Sequence, residues 1–167
     1  LRTDCIDIYM LHRDNPDALV KPIVDVLNTL YRQKKLVVFG GSNWTHQRIA
    51  EANDYAASSG QMPFAASSPN FGLAEQVADP WVCDAKFGGG CVTISGPENA
   101  NARNWYAKNN ITVFAYSGLA RGFFSGAFRS SQPEKAKEIL DFPGYSGYFC
   151  QNNLKRLERC EILASKI

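Results

Sequence analysis

Three observations predict a parallel α/β fold, a partial (β/α)8 TIM barrel with about four of the eight β/α units. Ile6 to Leu11 is an apolar, strand-like run that ends on His12, and a helical pattern follows at once. The device recurs where Leu36 to Phe39 run into Gly40-Gly41-Ser42-Asn43 before a second helical pattern. Polar residues therefore stand where strands finish, the end at which α/β barrels carry their chemistry. Finally, no Gly-x-Gly-x-x-Gly follows any strand, which argues against an open dinucleotide-binding sheet. A closed barrel typically needs about 250 residues, so four units in 167 residues amount to half its strands.

The elements follow from period and punctuation. A first strand is expected over residues 6–11 and a helix over 17–35, with Ile23, Leu27 and Leu30 on one face, Pro22 near its first turn, and Lys34 and Lys35 at the negative end of its dipole. A second strand covers 36–40. Thr45 caps a helix over 46–58 that packs through Ile49, Ala52 and Ala56, and Gly60 ends it. The third strand, 64–68, stops at Pro69, and 72–97 reads as a long loop containing Gly88-Gly89-Gly90. Pro97 and Glu98 open a helix carrying Ala102, Trp105 and Tyr106. It gives way at Asn109-Asn110 to the clearest strand, 111–116, whose β-branched and aromatic residues suit a buried parallel position. A Gly- and Ser-rich stretch over 117–126, an irregular region to about 150, and a helix over 152–166 with Leu154, Leu157, Cys160 and Ala164 inward complete the chain.

Composition narrows the classes. Hydrophobic residues make up 45% and charged residues 20%, ordinary for one globular domain, here a single partial barrel over 1–167. The 18 basic and 16 acidic residues are spread throughout for a net charge of +2, so no basic face points to nucleic acid. The five cysteines, at 5, 83, 91, 150 and 160, include no Cys-x-x-Cys pair, which argues against both a disulfide framework and a zinc site. Reduced thiols in a cytoplasmic protein are the reading, with no metal. No apolar run approaches the roughly 20 residues that span a bilayer, and no membrane partner is expected. Because Leu1 is followed within five residues by an interior-type strand, a fragment truncated at both ends is expected.

Taken singly, the polar clusters permit structural readings: a histidine ending a strand is often a satisfied core residue, Gly-Ser-Asn suits a helix cap, and Ser117 to Gly126 suits a plain loop. Arg13, Arg121 and His46 are expected to be solvated. Together they say more. The segment Leu1-Arg2-Thr3-Asp4-Cys5-Ile6-Asp7-Ile8-Tyr9-Met10-Leu11-His12-Arg13, followed by Gly40-Gly41-Ser42-Asn43-Trp44, Ala66-Ser67-Ser68-Pro69-Asn70-Phe71-Gly72-Leu73 and Phe114-Ala115-Tyr116-Ser117-Gly118-Leu119-Ala120-Arg121-Gly122, resembles the aldo-keto reductase superfamily across its barrel strands 4 to 7.

That resemblance implies an oxidoreductase that reduces aldehyde or ketone carbonyls by direct hydride transfer from NADP(H), in preference to NAD(H). It puts His12 beside the substrate carbonyl, Ser42 and Asn43 on the nicotinamide carboxamide, and Phe71 against the nicotinamide ring. Ser68 stands where many members carry glutamine. Ser117, Gly118, Leu119 and Arg121 would line the pyrophosphate and ribose, where backbone donors and a cation suit a doubly charged group. The chemistry is sound for these residue types. Hydride transfer leaves negative charge on the carbonyl oxygen, which a positioned imidazole donor stabilises, and an adjacent hydroxyl and amide can satisfy a carboxamide together.

The family's catalytic aspartate, tyrosine and lysine come from earlier strands, so the 167 residues alone are expected to be inactive. A nicotinamide-nucleotide-binding regulatory subunit on the same scaffold, or a non-functional truncated product, are the alternatives. Trp44, Trp81 and Phe87 are candidate pocket liners by aromatic character; oligomeric state is left open.

Overall fold

The computed structural model describes residues 2–80 and 90–166. Its sheet is entirely parallel, in the order β1-β2-β3-β4, with β1 at Ile6–Leu11, β2 at Leu36–Ser42, β3 at Ala66–Ser68 and β4 at Thr112–Val113. Sequential parallel strands joined by helical crossovers are the repeating unit of a (β/α)8 barrel, and four such units make a partial one.

Helix α1 (Val20–Arg32) lies between β1 and β2 and buries Val20, Val24, Leu27 and Asn28, with Ile23 and Leu30 packed against the same core. It is shorter than the 17–35 expected. Residues 15–18 form a turn closed by Ala18 N–H on the Asn15 carbonyl, and Lys34 adopts φ 57°, which ends the helical run. Helix α2 (His46–Ser58) keeps the expected boundaries, because the Thr45 side chain accepts a hydrogen bond from Arg48 N–H and Gly60 turns at φ +64°. Between β3 and β4, a turn of 3-10 helix at Pro97–Asn99 leads into α3 (Ala100–Asn109), which buries Ala102 and Tyr106 before Asn110 closes it in the left-handed region.

Strand β4 departs from expectation. Of 111–116 only Thr112–Val113 forms a regular ladder, at the edge of the described sheet, with Phe114 45% exposed and not buried. The cause is partly local: Pro69 has no N–H to donate, so beyond Val113 the pairing continues only as single bonds, from Phe114 N–H to Ser67 C=O, Tyr116 N–H to Pro69 C=O and Phe71 N–H to Tyr116 C=O, with an isolated bridge of Asn70 to Tyr116. The 72–97 segment is less irregular than a loop reading implies. Its end runs beside the tip of β3, through a parallel bridge of Asn70 with Thr93 and bonds from Asn70 N–H to Val92 C=O and Ile94 N–H to Asn70 C=O. Gly88 and Gly89 lie outside the described residues.

The region to 150 is also more ordered than expected, holding α4 (Ala136–Ile139) and α5 (Phe142–Tyr148) before α6 (Gln151–Ala164). Asp141 caps α5 by accepting from Gly144 N–H at 2.7 Å. On α6, Leu157 is buried as expected, but Ala164 is exposed and Asn153 is fully buried instead.

Two cores result. One, between sheet and helices, packs Val24, Leu27, Phe39, Trp44, Ile49, Ala52 and Phe64; the other packs Ala74, Ala120, Phe123, Phe128, Leu140, Tyr148 and Leu157. Close strand approach in the first depends on Gly40, where a Cβ would sit 2.0 Å from the Ala66 carbonyl oxygen. No helix among the described residues is long and apolar enough to cross a membrane.

Candidate active site

Parallel register decides which side chains share the mouth of the sheet. Leu11 pairs with Gly41, Ser42 with Ser68, and Ala66 with Thr112. One step past Leu11 the same register sets His12 opposite Ser42, and two steps past Ala66 it sets Ser68 opposite Phe114. Since side chains alternate across a strand, these four form one row, with Met10 and Ile8 below His12 on the same face. All six line a cavity of about 460 Å³. Its wall is apolar at Ile8, Met10 and Phe114, and His12 is the titratable group upon it.

The hydroxyl-amide pair is split by the structure. Ser42 faces this cavity and donates its hydroxyl hydrogen to the Ser68 carbonyl at 3.0 Å. Asn43, in the left-handed region at φ 56°, is buried; its Oδ1 accepts from Tyr116 O–H at 2.6 Å and Val92 N–H at 3.2 Å, while its Nδ2 reaches Ser42 Oγ at 3.3 Å. Its backbone N–H bonds the Ser68 carbonyl at 3.2 Å. Asn43 thus ties the ends of β2, β3 and β4 together, and touches Ser42 directly.

Phe71 lies beyond the tip of β3, 40% exposed, with its N–H on the Tyr116 carbonyl. The turn that follows β4 sits against it, because Gly72 has no side chain: a Cβ there would lie 2.7 Å from the Gly118 carbonyl oxygen. Ser117, Ala120 and Arg121 all have positive φ, an unusual cluster for non-glycine residues that turns the backbone sharply at the strand end. Gly118 has open space where a side chain would project, and Leu119 is exposed. Arg121 is not simply solvated: its Nε lies 3.2 Å from both carboxylate oxygens of Asp141 and its Nη2 also bonds that group, a bidentate pair that holds the Asp141 carboxyl below its usual range and raises the guanidinium.

All the residues expected to form the site therefore stand at the C-terminal ends of the strands. His12, Ser42 and Ser68 share the cavity; Phe71 and 117–121 form an adjoining rim; Asn43 links the two. Other expectations change. Trp44 is core, 5.0 Å from the Phe64 ring, and not a pocket liner. His46 is half-buried against Trp105 at 5.8 Å, where burial lowers its pKa. Trp81, Phe87 and Cys83 lie outside the described residues.

Two features escape sequence reasoning. Phe114 belongs to the lining by strand alternation, a signal that was legible from Ser68 once the register was known. Tyr116 is different: it looks like one more apolar strand residue, yet burial raises its phenol strongly and its hydroxyl meets both Asn43 and the Cys91 sulfur, the latter at 2.9 Å. Cys91 also donates to Gln76 Oε1 at 3.2 Å, and burial pushes its thiol up as well. Behind them Tyr148, raised to about 12 chiefly by burial, accepts from Asn70 Nδ2 at 2.9 Å. Among the described residues, no group of three or more His, Cys, Asp or Glu could hold a metal ion.

The site's residues suit a nicotinamide. Ser42 retains an unused lone pair beside the cavity, Asn43 retains an amide hydrogen, and the Gly118 turn leaves room for a backbone-bound phosphate. No curated protein matches the chain. The sequence profile of the Aldo/keto reductase family matches residues 1–166, a family of oxidoreductases that bind nicotinamide cofactors on a TIM barrel. With that match spanning nearly all of its 167 residues, the chain belongs to the aldo/keto reductase family.

Proposed function

We propose that the four β/α units carry half of the active site of an NADP(H)-dependent reductase of aldehyde and ketone carbonyls, and that alone they bind nucleotide without turning over. The observation that carries this reading is the row His12, Ser42, Ser68 and Phe114 around one cavity at the C-terminal mouth of the sheet. When bound, the nicotinamide would supply the hydride. His12 would donate a hydrogen bond to the carbonyl oxygen as it gains charge, beside the apolar side chains of Ile8, Met10 and Phe114. Ser42 and Asn43 would hold the carboxamide and so choose the ring face presented to substrate. Phe71 would cover the ring, and the Ser117–Arg121 turn would take the pyrophosphate on backbone N–H groups, with the Arg121 cation beside it.

NADP(H) is the proposed cofactor over NAD(H), a small carbonyl compound the substrate, and the cytoplasm the location. The test is calorimetric titration of the 167-residue chain with NADPH and NADH, alongside an assay for NADPH oxidation by an aldehyde. Binding of NADPH that weakens about fivefold in Ser42→Ala, as the loss of one hydrogen bond predicts, with no turnover, is the expected result. A chain that binds neither nucleotide would sink the reading.

A further inference from the structure

We infer that Asp141 is an internal competitor for the ligand's pyrophosphate: it occupies the Arg121 guanidinium, and a bound phosphate must take that cation over. The inference deepens the cofactor reading above and rests on it.

Arg121 stands in the turn that follows β4, and its guanidinium is turned onto the start of α5. Its Nε lies 3.2 Å from both carboxylate oxygens of Asp141, and its Nη2 bonds the same group. A pair of this kind fills one edge of the guanidinium fork, and the geometry that fits a carboxylate there also fits a phosphate. One edge cannot serve both. A phosphate arriving at the turn therefore either displaces the carboxylate or lies beside its negative charge, and each course weakens binding.

The two partners are not equally able to move. Asp141 is the N-cap of α5, where its Oδ1 also accepts from Gly144 N–H at 2.7 Å, so the carboxylate stays anchored when Arg121 leaves it. The Arg121 backbone is braced as well: a Cβ on Gly144 would lie 3.4 Å from the Arg121 carbonyl oxygen and Cβ, so turn and helix meet with no side chain between them. What can swing is the rest of the Arg121 side chain. The pair sits at the rim, with the Arg121 side chain 27% and the Asp141 side chain 46% exposed, and ion pairs so placed are weak enough to exchange. A pyrophosphate, which carries more charge than one carboxylate, is suited to win the cation. Asp141 is therefore a positioning residue, acting through Arg121.

The test is calorimetric titration of NADPH into the unmodified 167-residue chain, Asp141→Asn, Arg121→Gln and the double variant. Asparagine caps helices as well as aspartate does, so α5 keeps its bond from Gly144 while the charge is removed. Asp141→Asn should tighten NADPH binding about fivefold, the upper end for one exposed ion pair, and Asp141→Ser, which also caps, should do the same. In the Arg121→Gln background Asp141→Asn should change affinity by less than about twofold, because no guanidinium remains to be released. Unchanged binding by Asp141→Asn would remove the competition, and weaker binding would mean that the carboxylate aims Arg121 at the ligand. An equal gain in both backgrounds would mean that the charge acts without Arg121. Each of these overturns the inference while the cofactor reading stands. If none of the proteins binds NADPH, the cofactor reading falls and this inference with it.

Discussion

The core beneath the sheet packs Val24, Leu27, Phe39, Ile49 and Ala52 from helices and strands that alternate along the chain, whereas Ala120, Phe123, Phe128, Leu140 and Leu157 meet from turns, the short α4 and α5 region and the 14-residue α6 over residues 117–164. Each core is clasped by one buried asparagine. Asn28 Nδ2 donates to Val24 C=O and Met62 C=O, and its Oδ1 accepts from Met62 N–H. Asn153 does the same work across 78 residues of chain, donating to Glu75 C=O and Tyr148 C=O and accepting from Glu75 N–H and Arg156. In the first region the asparagine trims a structure that apolar periodicity has already built; in the second it joins segments that share no periodic pattern. A region assembled from local repeats tolerates loss of a single tie better than one assembled from distant loops.

The sharpest way to break that contrast is to empty each core in turn. Phe39→Ala and Phe123→Ala, both at fully buried positions, should each cost about 4 kcal/mol. Hydrogen exchange should show Phe123→Ala loosening 117–164 while the amides of α1 and α2 stay protected; equal loss of protection throughout would mean the cores unfold as one. Next in size is Arg48→Leu. Arg48 pairs with buried Asp14 at 3.1 Å and also bonds the Ala18 and Asn15 carbonyls, so its removal should cost about 3 kcal/mol. Burial already raises the Asp14 carboxyl despite the guanidinium. Without Arg48 it rises further, the folded state binds the extra proton, and the deficit in urea unfolding should shrink as pH falls from 7 to 5.

Asn153→Leu should cost about 2 kcal/mol through the unpaired Glu75 and Tyr148 backbone groups, and more than Asn28→Leu. Chemical denaturation of the two variants side by side checks this, and equal losses would remove the contrast. The smallest effect is His46. Its folded pKa lies below the ordinary 6.5, so the unfolded chain binds the proton more readily; stability is complete above pH 6.5 and declines as pH drops below it. His46→Gln should flatten that part of the melting-temperature profile.

The same physical distinction governs what could be seen in advance. The first strand, the Thr45 cap and the α2 boundaries were legible because each is written within a few residues: an apolar run, a hydroxyl before a helix, a glycine after it. Helix α5 was missed because Phe142-Pro143-Gly144-Tyr145-Ser146-Gly147-Tyr148 carries two glycines and a proline inside seven residues, a poor local helix former stabilised by the Asp141 cap and by Tyr148 in the second core; α4, at four residues, is too short to leave a periodic pattern. The short β4 was overestimated because its composition is strand-like while Pro69 directly follows its partner β3, and a partner is not visible from one strand.

For the site, chain chemistry alone determined which residue types end each strand: an imidazole at 12, a hydroxyl at 42, an amide at 43, a hydroxyl at 68 and a glycine-containing turn from 117. Tertiary structure decided how they are used. Register aligned 12, 42, 68 and 114 on one wall, and long-range contacts from Val92 and Tyr116 turned Asn43 inward and gave its amide a direction. The physical reason is separation along the chain, since hydrogen-bond polarity depends on partners 49 and 73 residues away, and no local pattern encodes them.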